Sequence, residues 1–242
     1  MKKSISISKL PNGLKLITSE NQSSPIVTLR LVVNAGSAYE SENEYGYAHV
    51  LEHMLLKGTK HRPTSYDIGL EIDRIGAYSN AATSHNAAWF ILQAASRHAE
   101  KLFDVMSDNI LNSIIDADVL ENEKKVIIGE FRQRNNMLVR KSLIGALTQY
   151  TTNHPIAIDP LGVENIVLQA TPEALRIYKT KYYVPSNCTL IVTGALNPEQ
   201  AYKLAEKYFG SWNKSVSPDL KLPELKFDYG KSGFIEHPTD TT

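Results

Sequence analysis

The chain has 242 residues, enough to bury a substantial core as one large domain or two small ones. It is 42% hydrophobic and 21% charged, an ordinary globular composition, and its 26 Lys and Arg balance its 26 Asp and Glu, so charge gives no argument for nucleic acid or an anionic membrane as partner. A single cysteine, Cys188, excludes an intrachain disulfide and a cysteine-based zinc site, which leaves histidine and carboxylate as the available metal ligands.

Residues 1–8 carry two lysines with no uninterrupted apolar stretch after them, and no run of about 18 apolar residues follows anywhere. Neither a signal peptide nor a membrane span is expected, and the expected location is cytoplasmic. Residues 4–9 open with alternating Ser and Ile, Pro11-Asn12-Gly13 reads as a turn, and Leu14 to Ile17 resume extended character, an opening hairpin. The β-rich run from Ile26 to Val33 reads as a central strand.

Residues 46–58 read Gly-Tyr-Ala-His-Val-Leu-Glu-His-Met-Leu-Leu-Lys-Gly, a Pro-free segment with a glycine at each end that predicts a helix over 47–57. At about 100° per residue, Glu52 lies roughly 60° to one side of His49 and His53 roughly 40° to the other. All three side chains therefore share one face. The remaining positions are apolar nearly all round, as in a buried helix. Buried imidazoles and a carboxylate need partners, and a zinc ion would satisfy them. A lone core histidine is more often a hydrogen-bonded structural residue, but a pair four apart with Glu beside the second reads better as a metal site.

A second helix is predicted from Pro63-Thr64-Ser65 to Gly76, with Ile68, Ile72 and Ile75 on one face. Two strands are expected over 77–95, around Ser84-His85-Asn86. The first carries the small residues Asn80, Ala81, Ala82 and Thr83, which read either as filler under a helix or as an edge that admits another backbone. Helices dominate from about 97 to 150. Asp116 and Asp118 cap a long helix whose Val119, Glu123, Val126, Ile127 and Glu130 form one stripe, while Glu121, Lys124, Lys125 and Arg132 point to solvent. Two glutamates on a face that should be apolar mark a candidate site.

Residues 156–167 look like a turn-rich surface excursion. Thr171-Pro172-Glu173 starts a helix to about Tyr183, residues 187–193 form a strand, and Asn197-Pro198 starts a helix that stops at Phe209-Gly210. Beyond Lys214 the chain is rich in Pro and Lys, like a linker. The mixture predicts an α+β, two-layer fold with a mostly antiparallel sheet of about six strands packed by helices.

Catalytic zinc takes three protein ligands and leaves a fourth position for water. His49 and His53 supply two. Glu52 stands too near His53 to be the natural third and fits better as a general base, while the long helix offers Glu130 or Glu123. Such a site suits metal-assisted hydrolysis, most naturally of a peptide bond.

His49-x-x-Glu52-His53 is the inverted zinc-protease motif, and residues 46–59 together resemble the motif helix of the pitrilysin/insulysin family of inverzincin zinc metallopeptidases. The resemblance implies Glu130 as third zinc ligand, 77 residues after His53, and Glu123 in a supporting catalytic role. It implies that Asn80, Ala81, Ala82 and Thr83 form an edge strand that takes a peptide or unfolded polypeptide substrate as an added strand. It extends over residues 154–212, so residues 1–212 are expected to be a metal-binding peptidase domain. Residues 213–242 are then a linker and the start of a second homologous half, with Asp240, Thr241 and Thr242 as the beginning of its first strand. Family members close two such halves around the substrate, so a second half, in a longer chain or as a dimer partner, is the expected requirement for activity. The alternative is a non-catalytic subunit that serves as scaffold or substrate clamp.

Overall fold

The computed structural model describes residues 5–151, 154–228 and 230. The opening hairpin pairs β1 (Ile5–Lys9) with β2 (Lys15–Glu20), and β3 (Ile26–Val33) follows. Next come α1 (Tyr47–Met54), α2 (Ser65–Arg74), and the hairpin β4 (Tyr78–Thr83) and β5 (Ala88–Ala95). Three helices follow: α3 (Ala99–Leu111), α4 (Ala117–Asn135) and α5 (Leu138–Tyr150). A short α6 (Glu164–Gln169) leads to α7 (Pro172–Tyr182), β6 (Cys188–Gly194) and α8 (Pro198–Phe209).

The strands form one six-stranded sheet in the order β1-β2-β6-β3-β5-β4. Only the β2–β6 pair is parallel among the described residues, so the sheet is mostly antiparallel, as expected. Alternation in β3 buries Val27, Leu29, Leu31 and Val33 on one face, and β5 does the same with Ala88, Phe90, Leu92 and Ala94. Helices α1, α3 and α8 pack against this side of the fold. On the opposite face Arg30 lies over the Trp89 ring at 4.5 Å. β4 forms one rim of the sheet, and its residues are exposed or half-buried.

The predicted elements recur with four differences. The motif helix ends at Met54 rather than at 57, because Leu56 and Lys57 donate to His53 and Met54, three residues back, and tighten the last turn. In α4 the buried stripe is Leu120, Glu123, Lys124, Ile127, Ile128 and Phe131. It is rotated from the expected face, so Val126 is exposed while Lys124, read as solvated, is buried with its ammonium on Glu121 at 2.6 Å. The excursion over 156–167 is no surface loop, since Leu161 and Val167 are core residues. Finally, residues 214–228, read as a linker, are tied down: the Asp228 N–H donates to the Tyr150 carbonyl at 2.9 Å, and His154 Nε2 lies 3.1 Å from the Pro223 carbonyl. The readings placed on residues 1–4, 229 and 231–242 lie outside the described residues.

Two devices hold α1 in place. At its N-terminus, Gly46 has φ +107°, and a side chain there would meet Val167 at 2.6 Å and the Leu161 carbonyl at 2.7 Å. Gly162, itself at positive φ, stacks directly on it. Beyond its C-terminus, the buried Arg62 guanidinium donates to Asp108 and Asp104 at 2.7 Å and to Glu71 at 2.8 Å, binding the turn after α1 to α2 and α3.

Candidate metal centre

Helix α1 buries His49 and Glu52 almost completely and leaves His53 partly accessible. Its first turn lacks a side-chain cap from an adjacent residue. Instead Glu40, itself buried, accepts from the Gly46 and Ala48 N–H groups at 2.8 and 2.6 Å. Burial pushes the Glu40 carboxyl up to about 8, against the downward pull of those two donors.

Glu130 reaches this helix from α4. Its two carboxylate oxygens lie 3.6 Å from His49 Nε2 and 3.5 Å from His53 Nε2. One ligand atom from each of the three residues falls within 4.8 Å of the others. Separations of 3.5–3.6 Å are long for an N–H···O bond. They match the spacing of about 3.3–3.6 Å expected between two ligands of a tetrahedral ion at 2.0–2.2 Å. The donor set fits zinc on this ground, and it fits on protonation too. Desolvation, reinforced by the positive field of His53, lowers His49 to about 3, so its imidazole is neutral with a lone pair to offer. The buried His49 Nδ1 has no hydrogen-bond partner among the described residues.

Neighbouring groups fix the ligands. Glu123 Oε2 accepts from His53 Nδ1 at 3.2 Å, which turns Nε2 and its lone pair toward Glu130. The other Glu123 oxygen accepts from Lys57 Nζ at 2.7 Å. Glu52 accepts from the Thr83 hydroxyl at 2.8 Å, so Thr83, expected to touch substrate, is also a holder of Glu52. Burial raises the Glu52 carboxyl above its ordinary range, which the Thr83 bond and His53 partly offset. Asn80, Ala81 and Ala82 lie along β4, the rim strand beside α1.

All nine site residues read from the sequence thus sit on α1, α4 or the β4 rim. Three neighbours were not foreseen. Lys57, four residues after His53, and Arg134, four after Glu130, share the faces of those ligands, and that spacing was the available signal. Glu40 had none, since it reaches α1 through an intervening turn.

The insulinase family (peptidase family M16) matches residues 15–159, and the peptidase M16 inactive domain matches residues 169–242. The mitochondrial-processing peptidase subunit beta of Saccharomyces cerevisiae is 34% identical over 87% of this chain and 46% of its own length. A zinc protease of Rickettsia felis is 30% identical over 100% of this chain and 58% of its own length. The chain therefore spans about half the length of these relatives. In fold, a protease from Helicobacter pylori superposes with a TM-score of 0.86 at 22% identity, covering 93% of this chain and 55% of that one. With more than half of its residues inside the first match, the chain belongs to the insulinase family, peptidase family M16.

Proposed function

We propose that this chain is the metal-binding half of a zinc-dependent endopeptidase, with His49, His53 and Glu130 as metal ligands and Glu52 as general base. The observation that carries this reading is the Glu130 carboxylate placed between two imidazole Nε2 atoms at the spacing of tetrahedral ligands. Bound there, zinc would polarise a carbonyl and acidify a water. Glu52, raised in pKa and held by Thr83, accepts the proton of the attacking water and hands it to the leaving amide nitrogen, which departs as an amine. Glu123 orients His53 and acts only through it. The rim of β4, with Asn80, Ala81 and Ala82, offers a peptide an edge on which to add as a strand.

Residues 1–212 form the peptidase domain in this reading, and 213–242 lead into a second homologous half that completes the substrate chamber. The 46% and 58% coverage of the two relatives supports such a partner half. A second reading, a non-catalytic subunit acting as scaffold or clamp, draws on the match of residues 169–242 to the inactive domain. The intact set of His49, Glu52, His53 and Glu130 favours the enzyme.

Metal analysis of the purified chain, coupled to a chelator-sensitive assay on a quenched peptide with and without a candidate second half, tests the proposal. One zinc per chain and hydrolysis lost on chelation are expected. A chain that takes up no zinc overturns it, and zinc without hydrolysis in the presence of the second half favours the clamp.

A further inference from the structure

Arg134 follows Glu130 by four residues, so it stands one turn further along the same face of α4. Its side chain is 33% exposed, and the carboxylate near it is Asp159, 3.9 Å away and beyond hydrogen-bond reach. Asp159 is already occupied. It accepts from Arg140 Nε at 2.9 Å and from Arg140 Nη2 at 2.5 Å, and it takes the Leu161 N–H at 2.9 Å. The Arg134 guanidinium makes no hydrogen bond to any described residue, so its five donors are available to a ligand. It stands one turn beyond Glu130 on the same face of α4, beside the centre described above, and its charge acts on both His49 and Glu52.

Two guanidiniums therefore share one carboxylate at this rim, and a positive charge is left over beside the base. A planar guanidinium with free donors is a receptor for a carboxylate, which it takes bidentately. A role confined to the helix terminus, where Arg132 and Arg134 both offset the macrodipole, would be filled by any cation and would not distinguish one peptide from another.

We propose that Arg134 forms a specificity subsite that selects substrates carrying a carboxylate close to the scissile bond. The proposal rests on the peptidase reading and names the substrate class of that site. Arg140 keeps Asp159 from neutralising the subsite.

The test is binding without turnover. The zinc-loaded Glu52→Gln chain is titrated with labelled peptides of one otherwise neutral sequence, in which a single Asp, Asn or Lys is walked across the sites flanking the cleaved bond. Each peptide is made with a free and an amidated C-terminus, which separates an acidic side chain from a chain terminus as the source of the carboxylate. Asp at one position should bind about fivefold to tenfold more tightly than Asn, and Lys there more weakly. Adding Arg134→Gln should erase that difference and Arg134→Glu should reverse it, while 0.5 M salt should shrink it in the parent chain. Zinc content, measured alongside, should stay at the parent level. A preference for the free C-terminus that Arg134→Gln abolishes would assign the carboxylate to the chain end. Equal binding of Asp, Asn and Lys at every position with no preference between termini, or an acidic preference that survives Arg134→Gln, overturns the subsite and leaves the peptidase reading standing. No binding of any peptide, with or without the candidate second half, overturns both.

Discussion

Glu52 and Glu130 approach the same space from two helices, yet they should fail differently. Glu52→Gln keeps the three ligands, so zinc stays bound while hydrolysis falls by about 10²–10⁴, the usual worth of a positioned base. Paired metal analysis and initial rates check this, and retained hydrolysis would remove Glu52 from its role. Glu130→Gln should instead release zinc, seen as a chain that purifies without it. Glu123→Ala takes an intermediate course. It strands the His53 Nδ1–H and the Lys57 ammonium, which Glu123 accepts at 3.2 and 2.7 Å. Zinc affinity should drop about 10–100-fold in a competition assay with a chromogenic chelator. An unchanged affinity would mean that the ring is held by packing alone.

At the scale of elements, α1 depends on what grips its two ends. The Arg62 guanidinium is buried with three carboxylates, and Arg62→Ala leaves Asp108 charged and buried. A loss of about 3–5 kcal/mol is expected from urea denaturation. Glu40 gives the opposite end a pH dependence. Burial pushes its folded-state carboxyl up to about 8, from the ordinary 4.5. The folded chain thus holds a proton that the unfolded chain releases, so this contribution is full below about 4.5 and is lost as pH rises through about 8. Melting temperature should fall over that window, less steeply in Glu40→Gln, and identical slopes would discount Glu40. These grips were illegible in the sequence because they are contacts between distant segments. By contrast, the His49-x-x-Glu52-His53 face and the Asp116 cap follow from local geometry and could be read directly. The α4 face was half legible: Glu123 and Ile127 lie on it as expected, but Lys124 is buried through its ion pair with Glu121, which periodicity does not register. The small residues of β4 left filler and edge strand open, the family resemblance implied the edge where β4 lies, and nothing showed that Thr83 would hold Glu52.

The candidate metal centre lies on α1 and α4, with the β4 rim of the sheet beside it. What could not be read was the strand order, because pairing between β2 and β6 joins segments about 170 residues apart. β6 is also the strand that unites the sheet, since it lies between β2 and β3. Residues 1–212 should therefore melt cooperatively on their own, whereas residues 1–187 should not, as circular dichroism melts of the two truncations would show. A cooperative melt of the shorter piece would contradict the central place of β6.

That order of strands has a further consequence during synthesis. Until β6 emerges, the hairpin of β1 and β2 has no neighbour, and β3 presents an unpaired edge that carries Leu29 and Leu31. The nascent chain must hold two incomplete sheets apart for most of its translation, and open edges of this kind invite pairing with other chains. The last strand inserted closes both at once. It follows that folding should be slow and late for a chain of this length, and that yield in the cell should respond more to mutations in β6 and α8 than to equally buried ones in α1.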